Sequence, residues 1–122
     1  MLFRSQQGID AYVQGMALHD EAAVLPMAAE ADRARLLSEV SAQLDAVSGR
    51  FDALAAEPGL RDASAEIAAV QLALGDLRGA IQAQVGAGGI DTDLLRARLV
   101  DLDVALRGFR ARVSPQTPTP GA

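Results

Sequence analysis

Large apolar residues recur at alternating three- and four-residue steps in three stretches of this chain. The first runs Leu37, Val40, Leu44, Val47, Phe51, Leu54; the second Ile67, Val70, Leu74, Leu77, Ile81; the third Leu95, Leu99, Leu102, Leu106, Phe109, Val113. Charged and small residues fill the positions between. That rhythm is the seam of helices packed side by side, knobs into holes. It predicts an all-α protein: an antiparallel up-down helical bundle of three long heptad-patterned helices plus a shorter N-terminal helix.

The N-terminal helix, expected over 8–25, is the weakest. Ile9, Val13, Met16, Ala23 and Met27 share a face that Asp20 interrupts, and Gly8 and Gly15 each cost about 1 kcal/mol relative to Ala. Pro26 ends or kinks it. The next helix is expected from about Met27 to Ala56, with Glu30 and Asp32 at its positive end and Glu57-Pro58-Gly59 as its stop. A turn that short returns the following helix alongside. That helix, about Leu60 to Val85, adds Ala65, Ala68, Ala69, Leu72, Ala73 and Ala80 to its seam, which predicts a central helix contacted on more than one side. Gly75 and Gly79 fall within it. Gly86-Ala87-Gly88-Gly89 reads as a turn. In the last helix Asp91 is the expected N-cap, Ile90 a staple on Leu95, and Asp103 and Arg107 an i,i+4 ion pair. Ser114-Pro115 stops it.

Composition narrows the classes of function. Half the residues are apolar but only 3% are aromatic, and Cys is absent, so disulfides and thiolate chemistry are excluded. The net charge is −5 and every Lys/Arg cation is Arg. Dispersed arginines on an acidic chain lack the concentrated positive field that nucleic acid or an anionic membrane requires. No apolar run approaches a membrane span, so no integral membrane segment is expected in this chain.

The opening Met1-Leu2-Phe3-Arg4-Ser5 matches the translation of a common sequencing-adapter end read from a GTG start. Residues 1–7 are therefore expected to be a disordered or artefactual start, residues 8–113 a single helical-bundle domain, and 114–122 a Pro/Thr-rich disordered tail. Native sequence is then expected from near Gln6, and the compartment is left unassigned.

Chemistry has few footholds. His19-Asp20-Glu21 is the one place where metal-type ligands crowd, and His19 is the single His. Neighbouring residues on a helix point about 100° apart, so three in a row do not converge on one ion. The segment Met16-Ala17-Leu18-His19-Asp20, followed by Ala23-Val24, resembles the Met-x-x-His-His…Ala segment of a family of small ferritin-like bacterial domains. Asp20 stands where that pattern has its second His, the match covers about one helix, and no site is carried over. The glycine-rich turn at Gly86 lacks the Lys-Ser/Thr ending of a phosphate loop and follows a helix where a strand is required. Tyr12 has no partner pattern, and Ser38, Ser41, Ser48 and Ser64 have no nucleophile elbow. No catalytic, cofactor-binding or metal residue is nominated, and no cofactor is expected.

The seams themselves remain. Leu36, Leu72, Val100 and Val104 lie off the main rows, so some apolar faces are wider than a two-helix contact needs. The expected function is a non-enzymatic structural or interaction module that works through helix-helix contacts with a protein partner or by self-association. The alternatives are a ligand-binding four-helix sensor domain of a larger extracytoplasmic protein and, behind it, a ferritin-like metal-binding protein.

Overall fold

The structure, a computed structural model, describes residues 2–87 and 92–113. Four helices carry the fold: α1 (Leu2–Ala23), α2 (Glu30–Ala55), α3 (Ser64–Ala87) and α4 (Thr92–Val113). Two 3₁₀ turns join them, Leu25–Met27 before α2 and Pro58–Ala63 before α3. Each begins with a proline in its first turn, where the missing N–H has no intrahelical partner to lose. Helix α3 consequently starts at Ser64 rather than Leu60, whose φ of −114° is not helical. At the other end α3 runs through Gly86 and Ala87, so half of the expected glycine turn is helical. Gly88, Gly89, the staple Ile90 and the cap Asp91 lie outside the described residues, as does the tail from Ser114.

The helices pack as a ring, α1 on α2, α2 on α3, α3 on α4 and α4 back on α1. Cross-helix pairs run in opposite order along three of the neighbouring pairs. On α1 and α2 the pairs are Asp10 with Arg50 and Glu21 with Gln43. On α2 and α3 they are Asp45 with Arg78 and Asp52 with Gln71. On α1 and α4, Gly8 meets Val113 and Gly15 meets Leu106. All three large-residue seams are buried in full within one apolar core. Fully burying a Leu, Ile or Phe side chain contributes roughly 1.5–3 kcal/mol, so these seams are the main source of stability.

Two expectations are corrected. The N-terminal helix begins at Leu2 rather than near Gly8, and its 22 residues equal those of α4 and fall short of α2 and α3. Its buried face is also not the one its large residues mark. Val13 and Met27 are 58% and 77% exposed, whereas Gly8, Ala11, Gly15, Leu18, Ala22 and Leu25 are buried. Those six repeat the same three-four rhythm with four small residues and the two leucines Leu18 and Leu25, out of phase with the expected face. A Cβ on Gly8 would lie 2.8 Å from Val113 Cγ2, and one on Gly15 would lie 2.7 Å from Leu106 Cδ2. The glycines therefore let α1 approach α4 closely, and packing overrides their low helix propensity. Between those two contacts α4 places Phe109, whose ring meets Phe51 of α2 edge-on with centroids 4.9 Å apart.

The second correction concerns α3. It is not a central helix but one side of the ring, with Ala65, Ala68, Ala69 and Leu72 exposed. Alanine adds little apolar area, so an alanine-rich circumference does not by itself demand burial on every side. With α1 as a full partner, four seams close one core and the outer face of α3 is left to the surface.

Candidate interaction surface

Among the described residues, six large apolar side chains remain exposed, and three lie on α3 and α4: Leu72 at 69%, Val104 at 64% and Val100 at 55%. Leu72 and Val104 line one shallow groove between the two helices. Its walls are completed by Ala69, Ala73 and Ala105, and its rims carry Asp76 of α3 and Asp101 of α4. Helical geometry explains the placement. Leu72 falls between the seam residues Val70 and Leu74, and Val100 and Val104 fall beside Leu99 and Leu106, so each projects to the outer side. Leu36, the fourth residue off the main rows, packs against the core instead. The off-row pattern thus led to the groove, whereas the two rim carboxylates carried no signal that set them apart from other solvated acids.

The side-chain hydrogen bonds made by Arg35, Arg98, Arg107 and Arg112 lie at exposed positions. Asp101 accepts from Arg98 at 2.9 Å, and Arg35 donates to Glu39 at 3.1 Å. Arg107 donates from Nε to both Asp103 oxygens, at 3.0 and 3.1 Å. That hydrogen bond and the charge of Asp103 hold the Arg107 guanidinium pKa above its ordinary value. The Arg110 guanidinium sits 5.2 Å from the centroid of the Tyr12 ring, tying α4 to α1. Arg112 donates to the Asp62 carbonyl at 2.9 Å and lies 3.8 Å from Glu66, fastening the end of α4 to the start of α3.

The His19-Asp20-Glu21 run does not converge. His19 Nδ1 lies 3.1 Å from Asp20 Oδ1, while Glu21 turns to α2 and accepts from Gln43. Among the described residues no three His, Cys, Asp or Glu side chains come together as a metal site, and the buried cluster is wholly apolar. Ser38 and Ser64 are exposed, Ser41 and Ser48 half-buried, and none has a hydrogen bond to His19 among the described residues. No helix of the described residues is long and apolar enough to cross a membrane. No protein-family model matches the chain, and neither a curated protein nor a solved structure matches it.

Proposed function

We propose that this protein is a non-enzymatic interaction module that uses the outer α3–α4 face to receive a partner helix. The observation that carries the reading is the pairing of Leu72 and Val104 in one exposed groove after all four seams have been spent on the core. Nothing inside the bundle needs these two side chains on the surface, and a helix with its own apolar stripe has the shape to cover them. The test is methyl NMR on the full chain during titration with a synthetic amphipathic helix carrying an Ala/Leu face and a neutral polar face. Shifts concentrated on Leu72, Val100 and Val104 are expected. A response centred on Val13 and Met27, or none anywhere, would defeat the reading.

A further inference from the structure

The rims of the α3–α4 groove say more about the occupant than its floor does. Asp76 and Asp101 stand on opposite walls of an otherwise apolar groove. Asp76 makes no ion pair among the described residues, and Asp101 is met by Arg98 of its own helix, one turn away. Such an exposed pair is weak and readily exchanged for a better-placed cation. The one cation on α3, Arg78, is engaged with Asp45 of α2, on another side of the bundle. On α4, Arg107 is held by Asp103. Within the groove, then, two carboxylates flank apolar wall residues. A second copy is a poor occupant, because it would add another Asp76 and Asp101 to the interface while the groove lining of neither copy holds a cation. We infer that the groove docks a basic amphipathic helix of another protein. Its small apolar residues cover Leu72 and Val104, and Lys or Arg beside its apolar stripe reaches Asp76 on one rim and Asp101 on the other. This rests on the reading of the α3–α4 face as a docking surface, and adds the charge of the partner to it.

The experiment compares two synthetic helical peptides with the same Ala/Leu face, one flanked by Lys and the other by Glu, titrated into the full chain. The Leu72 and Val104 methyls report the site. The Lys peptide is expected to bind roughly tenfold tighter at low salt, with the preference shrinking as ionic strength rises. The double variant Asp76→Lys/Asp101→Lys, altered only at exposed positions, is expected to keep its melting temperature and to prefer the Glu peptide. Equal affinity for both peptides, with the groove methyls still responding, would overturn the charge assignment and leave the docking surface standing. Silence of those methyls toward both peptides would overturn the two together. A dimer by light scattering that Val104→Asp dissociates would make a second copy the occupant, and would overturn the inference.

Discussion

Gly15 and Gly79 both sit inside helices, and an intrinsic propensity scale treats them alike. Their surroundings do not. A side chain at Gly15 runs into Leu106, whereas one at Gly79 meets nothing within 4 Å. Replacing Gly79 with Ala should therefore stabilise the fold by about 0.5–1 kcal/mol through the lower entropy of the unfolded chain. Gly15→Val should destabilise it by about 1–3 kcal/mol, because Leu106 is fully buried and has nowhere to move. Thermal and urea melts of the two variants check both signs; a Gly15→Val protein as stable as the parent would contradict close α1–α4 packing. The sequence could not separate these glycines because the difference lies in what another helix brings to each. What it did contain was the repeat 8, 11, 15, 18, 22, 25, hidden because small residues at seam spacing are invisible to a search for large ones.

The other three seams were legible at the scale of whole elements for the complementary reason. Leu, Ile, Val and Phe at seam spacing leave one economical solution, burial of that stripe, and every residue of those rows is in the core. Helix ends were less legible. The stretch from Pro58 to Ala63 winds as a 3₁₀ turn, since the proline favours a tight first turn and Leu60 departs from helical geometry. Seam composition also ranks the helices by how firmly they are held. Among the residues of α1 whose burial is described, the buried row is largely Gly and Ala with Leu18 its one large member, whereas α4 buries four Leu, Phe109 and Val113. Less apolar area is removed from water when α1 docks, so α1 should open below the free energy of global unfolding. Native-state hydrogen exchange read amide by amide is the check: α1 amides are expected to exchange through a lower-energy opening than those of α3 and α4. Equal protection in all four helices would show that the ring opens only as a unit.

Taken whole, the molecule divides its labour between an apolar interior and a charged exterior that scarcely interact. The ion pairs Arg35–Glu39, Arg78–Asp45 and Arg98–Asp101 all involve side chains more than a third exposed. Pairs of this kind contribute about 0–1 kcal/mol each and weaken with salt. Raising NaCl from 0.1 to 1 M should accordingly change the unfolding free energy by no more than about 1–2 kcal/mol. A larger loss, seen in urea melts, would mean that surface charge holds the ring together. At this scale the sequence announced an apolar surplus on the third and fourth helices. The alanine-rich circumference of the third helix read as that of a central helix, since one chain's pattern does not reveal how many helices share the core. Once α1 is counted as a full side of the ring, the surplus falls outside, at Leu72, Val100 and Val104. The cation-π contact between α1 and α4 has a practical consequence in light. The chain has no Trp and a single Tyr, and that Tyr12 lies under the Arg110 guanidinium at the edge of the α1–α4 contact. Its emission therefore reports the departure of one helix, while far-ultraviolet circular dichroism reports the helicity of all four. Two optical signals from the unlabelled protein thus time the loosening of α1 and the collapse of the remaining core on separate clocks.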